Sequence, residues 1–162
     1  MNHNVPENPF YTCSLRKVVI ASFFTMGLFN MLYFYKNYMK LGLYKDKWEP
    51  MLLVKSILYP LFLYKLIKAS LLRVGGAFII VRAVLLSFLL FFFVFSGVFG
   101  KLVGLLAFFT FFPLLLINMC FQKANSAIGI KEFDNKFSKI EILMSLVGTS
   151  LMAKEVLGLL NL

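Results

Sequence analysis

Ionisable side chains inside long apolar segments are the first candidates for chemistry in this sequence, because charge is costly there and is often kept for proton or ion transfer. Two long runs contain no charged residue, 83–100 and 102–121. The residues immediately before them are the cations Arg82 and Lys101. Both cations have flexible apolar stems that can reach lipid headgroups, so we expect them to anchor the chain rather than transfer protons. The runs contain no Asp or Glu. This pattern argues against proton- or sodium-coupled transport.

The residue types that enzymes need are scarce and scattered. The chain has one histidine, His3, and 7 acidic residues among 162 positions. Ser87 and Ser96 lie in an apolar run without a candidate base. Glu141 and Glu155 flank the last apolar segment, and we expect them to face water or headgroups. A nucleophile–base pair or a carboxylate dyad cannot be assembled at these spacings, so we predict that the protein is not an enzyme.

The two cysteines lie in different contexts, Cys13 in a polar N-terminal segment and Cys120 at the end of an apolar run. No CxxC motif and no histidine–cysteine spacing typical of metal sites occurs in the sequence. We therefore predict no disulfide framework, no metal and no cofactor.

A few polar side chains within apolar segments are candidates for binding or helix packing: Asn30, Thr110, Asn118 and Asn125. An amide in an apolar environment needs a hydrogen-bond partner, and bonds between membrane helices contribute about 1–2 kcal/mol or less. We expect these residues to join helices, with a binding site as the alternative. Asn118 and Asn125 are two helical turns apart and would share a face of a continuous helix.

The net charge of +10 raises the question of an anionic partner. No nucleic-acid-binding motif accompanies the basic residues, so we predict no nucleic-acid partner. Several cations could contact lipid headgroups: Lys55, Lys65, Lys68, Arg73 and Arg82. The general enrichment of Lys and Arg in cytoplasmic loops of membrane proteins explains the same charges without a specialised lipid role.

The elements that must position these residues are apolar helices. Hydrophobic residues make up 60% of the chain, with 20 Phe, whereas soluble domains are about 45–50% apolar. Each uncharged run reaches the roughly 18–20 residues that cross a hydrocarbon core of about 30 Å. The fold class predicted is all-α, an integral membrane helical bundle with about four spanning helices and one amphipathic or re-entrant helix.

The predicted division is a polar N-terminal arm, 1–17, and a single transmembrane helical domain, 18–162. Its helices are expected at about 18–35, 51–72, 78–99, 102–121 and 140–160. Segment 51–72 is assigned to the interface, because only nine uncharged residues separate Lys55 from Lys65 and Pro60 lies among them. A turn is expected at Gly97, Gly100, Lys101 and Gly104, and the alternative for Gly100 and Gly104, which fit the GxxxG spacing, is a helix-dimerisation face. The last helix carries a stripe of polar or small residues, which we expect to pack on other helices or to lie near the membrane–water interface: Glu141, Ser145, Gly148, Thr149, Met152 and Glu155.

The distribution of lysines predicts an orientation. Loops 36–50 and 123–139 are basic and are placed in the cytoplasm. If 18–35 spans the membrane, Arg16 and Lys17 lie outside. This is a mild departure from the rule that Lys and Arg are enriched on the cytoplasmic side. In this orientation Cys13 reacts with an impermeant thiol reagent from outside, and Cys120 is shielded or cytoplasmic.

Three stretches resemble a family of small, uncharacterised bacterial inner-membrane proteins. The opening Thr25-Met26-Gly27-Leu28-Phe29 with Tyr33-Phe34-Tyr35-Lys36-Asn37-Tyr38 resembles its T-x-G…YWFYKNW pattern. The basic loop is followed by an amphipathic segment that begins at Glu49-Pro50. A late "P…N…N…FS" pattern matches Pro113, Asn118, Asn125 and Phe137-Ser138. The chain departs from the family at Tyr38, where Trp is usual, and at Lys55, where Arg is usual. The family has no assigned activity, so the resemblance implies a location and an architecture only.

The functional hypothesis is a non-catalytic accessory or assembly component of the bacterial inner membrane. Its expected partners are the lipid bilayer and either another protein or further copies of the chain. The alternatives are an envelope protein that interacts with anionic lipid, or a small oligomeric transporter or channel.

Overall fold

The structure, a computed structural model, describes residues 9–25, 27–41, 50–75, 79–95 and 109–160. These residues form helices and connecting segments, with no strand among them and one isolated parallel bridge between Cys13 and Asp134. The all-α fold class is therefore confirmed. The helices are α1 (Leu15–Phe24), α2 (Leu28–Lys40), α3 (Pro50–Ile57), α4 (Tyr59–Val74), α5 (Ile79–Phe95), α6 (Phe111–Ser126) and α7 (Lys139–Leu160).

The predicted continuous helix over 18–35 is wrong, because the chain breaks there into α1 and α2. The Thr25 hydroxyl donates a hydrogen bond to the carbonyl of Ala21, at 2.7 Å, and accepts one from the N–H of Phe29, at 2.9 Å. One side chain thus satisfies backbone groups at the end of α1 and the start of α2. Gly27 has a φ of +84°, a conformation that side chains other than glycine rarely adopt.

Beyond this break, α2 turns back along α1 and forms a helical hairpin. Ser22 on α1 donates a hydrogen bond to Asn30 on α2 at 2.9 Å. Lys17 near the start of α1 and Lys36 near the end of α2 both contact Glu141. The two outer ends of the hairpin therefore lie together. The predicted orientation, with Lys17 across a membrane from 123–139, is wrong for this reason.

The predicted segment 51–72 is also divided, into α3 and α4. Pro60 lies in the first turn of α4, where the missing N–H removes no helical hydrogen bond. α4 packs against α5 and α6, and its buried side chains include Leu63, Leu66 and Ile67.

α5 lies within the predicted helix 78–99. The turn predicted at Gly97, Gly100, Lys101 and Gly104 lies outside the described residues, as does 102–108.

α6 begins later than the predicted 102–121 helix and runs past Phe121 to Ser126. Pro113 is in its first turn, a position that tolerates proline. Because the helix continues, Asn118 and Asn125 lie on one helix and both are buried.

α7 begins with a capping box. Ser138 accepts a hydrogen bond from the N–H of Glu141, and Glu141 accepts one from the N–H of Ser138. The helix then runs parallel to α1, since Glu141 contacts Lys17 and Gly148 lies against the backbone of Phe24 and Thr25. In the predicted stripe, Glu141 and Gly148 are buried whereas Thr149 is exposed.

The predicted boundary between an N-terminal arm and a helical domain at residue 17 is wrong for the described part of the arm. Residues 9–14 are extended, but Phe10 and Cys13 belong to the main hydrophobic core. Within the described ranges, no helix has both the length and the apolar character required to cross a membrane.

Candidate functional site

An extended backbone segment, residues 9–14, is held by three buried asparagines on α2 and α6. In each case the side-chain carbonyl accepts a hydrogen bond from a backbone N–H, and the side-chain amide donates one to the C=O of the same residue. The pairs are Asn125 with Phe10 (2.8 and 2.8 Å), Asn37 with Tyr11 (3.0 and 3.1 Å) and Asn118 with Cys13 (3.1 and 2.9 Å). We call these three residues the asparagine cradle. Each amide replaces the neighbouring strand that an extended backbone normally requires.

A second edge of the segment pairs with residues 132–134. The C=O of Thr12 accepts a hydrogen bond from the N–H of Asp134 at 2.9 Å, and the Thr12 hydroxyl donates to the carbonyl of Glu132 at 3.2 Å. Ser14 donates its N–H to the Asp134 carbonyl at 3.4 Å. The polar backbone of a buried segment is thus satisfied on both sides.

Aromatic rings fix the position of the same segment. The Phe10 ring stacks on Phe121 of α6, with 4.5 Å between ring centroids, and the guanidinium of Arg73 lies 4.8 Å from the Phe10 centroid. Tyr33 of α2 stacks on Phe121 and donates its hydroxyl proton to the Asn118 carbonyl at 3.0 Å. The cradle is therefore part of the core.

Next to the cradle lies a cluster of four charged side chains, Lys17, Lys36, Asp134 and Glu141, which we call the ion cluster. The Lys17 amine is 3.0 Å from an Asp134 oxygen and 2.9 Å from a Glu141 oxygen. Lys36 contacts the other Glu141 oxygen at 3.0 Å. Lys17 is 1% exposed and Glu141 is 0% exposed, so these charges persist only because they are paired.

Tyr11 completes the cluster. Its hydroxyl donates a hydrogen bond to Asp134 at 2.7 Å and accepts one from Lys36 at 3.0 Å. Burial raises the pKa of Tyr11 far above its ordinary value, so the phenol stays protonated and remains a donor. Burial alone would raise the pKa of Asp134, but hydrogen bonds from Tyr11 and Lys17 outweigh it and lower that pKa below its usual value. Asp134 is therefore a carboxylate at neutral pH.

The ion cluster can hold several helices together. The two amines and two carboxylates pair with one another and connect α1, α2, α7 and the segment before α7.

Cys13 is fully buried, and burial raises the pKa of its thiol to about 11. The thiol is therefore protonated at neutral pH and is a poor nucleophile. This burial also contradicts the expected reaction of Cys13 with an impermeant reagent. In the described part of the chain, no group of three or more potential metal ligands comes together.

The structure places the four polar residues singled out in the sequence in two regions. Asn118 and Asn125 are in the cradle, and their main partners are the backbone groups of residues 10–13 rather than other helices. Asn30 bonds to Ser22 and, at 3.3 Å, to the Tyr59 hydroxyl, so it connects the hairpin to α4. Thr110 is buried next to Gly27, and its hydroxyl has no hydrogen-bond partner within the described ranges.

The five candidate headgroup contacts differ in exposure and in their neighbours. Lys65 and Arg82 are exposed on α4 and α5. Lys55 and Lys68 are half-buried, with their amines 6.0 and 5.8 Å from the ring centroids of Phe62 and Tyr64. Arg73 differs from the others, because its guanidinium lies over Phe10.

Most of the site was not found from the sequence. In the sequence, four of its residues lie in stretches typical of polar loops or helix ends: Lys17, Lys36, Asn37 and Asp134. The sequence also predicts that Glu141 faces water or headgroups. That expectation is wrong, because Glu141 is fully buried. The one local signal was the Ser138-x-x-Glu141 capping box, which fixes the start of α7.

A scan against models of protein families, a search of curated proteins and a search of solved structures find no match for this chain. The resemblance to small bacterial inner-membrane proteins therefore stays a prediction.

Proposed function

We propose that this chain is a non-catalytic, multi-pass integral membrane protein of the bacterial inner membrane that acts through helix packing, as an accessory or assembly component. The observation that carries the proposal is the large apolar surface that several helices leave exposed, while buried charges and amides are paired within the chain.

The outward-facing apolar side chains lie on several helices. Phe88 on α5 is 66% exposed, and Leu143 and Leu146 on α7 are 62% and 63% exposed. Others on the same helices and on α4 are also exposed: Leu61, Val81, Leu85, Phe92, Val147, Leu151 and Leu157. Apolar surface of this extent in water marks a membrane or a protein contact.

The hairpin between α1 and α2 has a second property that suits a membrane interior. Its non-helical link has backbone groups that bond within the protein, with the Thr25 N–H to Ala21 and the Gly27 N–H to Ser22, both at 3.0 Å. Non-helical backbone at membrane depth is tolerated only when its N–H and C=O groups bond within the protein and are shielded from lipid. The two long uncharged runs of the sequence, 83–100 and 102–121, add support, although parts of both lie outside the described residues.

Helix packing as the mode of action is supported by α7. One narrow face of this helix, with Glu141 and Gly148, packs on the rest of the chain. The opposite side is exposed and mostly apolar, with Ser150 and Lys154 among its residues. A helix that leaves most of its apolar surface free can bind a neighbouring membrane helix. The pairing within the ion cluster favours a structural role over conduction.

Two measurements test the proposal. Alkaline carbonate extraction of source membranes should leave the protein in the pellet, and its release into the supernatant would contradict membrane integration. Blue-native electrophoresis of gently solubilised membranes should then show a species larger than the monomer.

A photo-crosslinking amino acid at Leu146 should capture a neighbouring protein or a second copy, because that side chain points outwards from α7. The matched position is Leu114, which is fully buried in α6 and should crosslink only within the chain. Free monomer, together with equal crosslinking from both positions, would refute the accessory role.

A further inference from the structure

Exposed basic side chains gather at one end of the molecule. We call this the basic end, formed by residues 9–17, 36–41 and 123–139. Its exposed cations are Arg16, Lys40, Lys123, Lys131, Lys136 and Lys139. These ranges contain two acidic residues, Glu132 and Asp134, and Asp134 is bound to Lys17 and Tyr11. The exposed charge at this end is therefore strongly positive.

The contacts of the site show that these ranges are neighbours in space. The cradle joins Phe10 to Asn125 near the end of α6. The ion cluster joins Lys17 and Lys36 to Glu141 at the start of α7. A pocket of about 550 Å³ opens between residues 9–12 and 129–134, with Lys40 and Lys131 in its lining.

The opposite end of the hairpin is uncharged, since residues 18–35 include no Asp, Glu, Lys or Arg. Its turn, at Thr25 and Gly27, lies against Gly148 and Thr110. Because α1 has 10 residues, it rises about 15 Å at 1.5 Å per residue, roughly half of a hydrocarbon core of about 30 Å. Such a hairpin can enter a bilayer and return to the same face without crossing it.

We propose that the basic end is the surface by which this protein contacts anionic lipid headgroups, and that the α1–α2 hairpin is re-entrant from that face. This inference rests on the membrane integration proposed above. Charge complementarity selects the partner, because anionic headgroups on the cytoplasmic leaflet attract clustered Lys and Arg next to membrane segments. The N-terminal segment then shares the cytoplasmic face with 123–139, and Arg16 and Lys17 no longer depart from the charge rule.

The lipid contact is tested by reconstituting the full chain with equal amounts of phosphatidylglycerol and phosphatidylcholine and measuring the lipids that it retains on purification. Wild type should enrich phosphatidylglycerol. Combined replacement of Lys131, Lys136 and Lys139 by Gln should reduce the enrichment by up to about fivefold per lysine. The matched comparison is replacement of Lys55, Lys65 and Lys68 by Gln, which removes the same charge from the alternative headgroup contacts on α3 and α4 and should cause the smaller loss.

Equal losses in the two triple variants, or no enrichment in wild type, would overturn the lipid contact. Tighter binding of RNA would also overturn it. In that case a gel mobility shift of single-stranded RNA would appear at a lower protein concentration than is needed to bind phosphatidylglycerol vesicles. Carbonate extraction of the same variants separates this failure from failure of the proposed function, since a chain that stays in the pellet without lipid preference is still a membrane protein.

The re-entrant hairpin is tested by adding one cysteine at a time at an exposed position, Arg16→Cys or Asn135→Cys, to a Cys120→Ser background in which the remaining Cys13 is buried. An impermeant maleimide should label both from the cytoplasmic side, in inverted vesicles and not in right-side-out ones. Labelling of the two positions from opposite sides would show that the hairpin segment crosses the membrane and would overturn the inference.

Discussion

An asparagine side chain carries a donor and an acceptor next to each other, which lets it pair with both backbone groups of one extended residue. Three such pairings hold residues 10–13, and each joins segments far apart in the sequence; Asn118 and Cys13, for example, are separated by 105 positions. The pairings bind backbone atoms, so they fix where the segment lies without specifying its side chains. Alanine at these positions would leave backbone groups buried without partners.

We expect Asn118→Ala to lower the free energy of unfolding by about 1–3 kcal/mol, because the Cys13 N–H loses its acceptor in a buried site. The Cys13 carbonyl keeps a hydrogen bond from Gln122 at 2.7 Å, which limits the loss. Thermal unfolding in mild detergent measures the effect. Asn135→Ala is the control, because that residue is exposed and its replacement should cost less than about 0.5 kcal/mol. Similar melting temperatures for the two variants would contradict the role of the cradle.

The lowered pKa of Asp134 predicts an acid-sensitive contribution to stability. A carboxyl group whose pKa is lower in the folded than in the unfolded chain stabilises the fold above its unfolded pKa, about 3.9, and this contribution is lost as the pH falls through the folded pKa. Tyr11, Lys17 and Lys36 surround this carboxylate, and Glu141 shares Lys17 with it.

We expect Asp134→Asn to melt at a lower temperature than wild type at neutral pH. The difference between the two proteins should be constant from about pH 5 to pH 8 and should shrink below about pH 4, as wild type loses the same charge. Melting curves across this range measure it, and the other carboxylates cancel because both proteins carry them. A difference that persists unchanged at low pH would show that Asp134 acts through its shape rather than its charge.

At the scale of elements, Glu141 connects three helices. Its carboxylate oxygens contact Lys17 on α1 and Lys36 on α2, while its own backbone starts α7. We expect Glu141→Gln to lower the free energy of unfolding by up to about 3–5 kcal/mol, because Lys17 and Lys36 then share a single, partly exposed counter-charge, Asp134. Glu132→Gln is the matched control, since Glu132 is exposed and should have a small effect. Protease digestion should cleave near residue 139 faster only in the first variant; equal rates would contradict the connection.

A second contact between elements depends on the absence of a side chain at Gly148. A Cβ atom there would lie 2.2 Å from the carbonyl oxygen of Phe24 and 2.6 Å from the Cα of Thr25. Both are backbone atoms, so α7 would have to move away from α1. We expect Gly148→Ala to destabilise the protein by about 1–3 kcal/mol despite its higher helix propensity. Thr149→Ala, on the exposed side of the same helix, should be neutral or slightly stabilising in the same thermal assay. A stable Gly148→Ala variant would mean that the two helices can separate without cost.

Helix-forming segments could be predicted from the sequence, but the breaks within them could not. Apolar runs indicated helices near 18–35 and 51–72, and each run contains a break that depends on one or two residues. Thr25 joins the end of α1 to the start of α2 by hydrogen bonds to Ala21 and Phe29, but the run around it is uncharged throughout and its hydropathy shows no break. Pro60 does give a signal in the sequence, but that signal disfavours a spanning helix and does not by itself locate the first turn of α4.

At the scale of the whole molecule, the candidate site was missed because its residues lie far apart in the sequence. Nothing local connects Lys17 with Glu141 or Phe10 with Asn125. Several residues of the patterns that carry the resemblance nonetheless build the site or the turn between α1 and α2: Thr25, Gly27, Tyr33, Lys36, Asn37, Asn118, Asn125 and Ser138. Their types suit hydrogen bonding and backbone geometry, so the pattern is explained by architecture.

The same contacts make residues 9–14 a structural centre although they form no helix. The segment touches α2, α6 and 132–134 through its backbone, and α4 through the ring of Phe10. Opening it would break the cradle and expose the ion cluster. Backbone amides that open only with the whole molecule exchange their hydrogens slowly, whereas those of terminal segments normally exchange fast.

We therefore expect the amides of Phe10, Tyr11 and Cys13 to exchange as slowly as those in the middle of α2 and α6, as measured by hydrogen exchange with mass spectrometry on the full chain in detergent or lipid discs. Peptides covering residues 127–131 serve as the internal comparison, because that turn is exposed. The Asn118→Ala variant should accelerate exchange in residues 9–14 first, before the helices respond. Exchange of this segment as fast as in 127–131 in wild type would show that the cradle opens independently, and the ion cluster alone would then hold the basic end together.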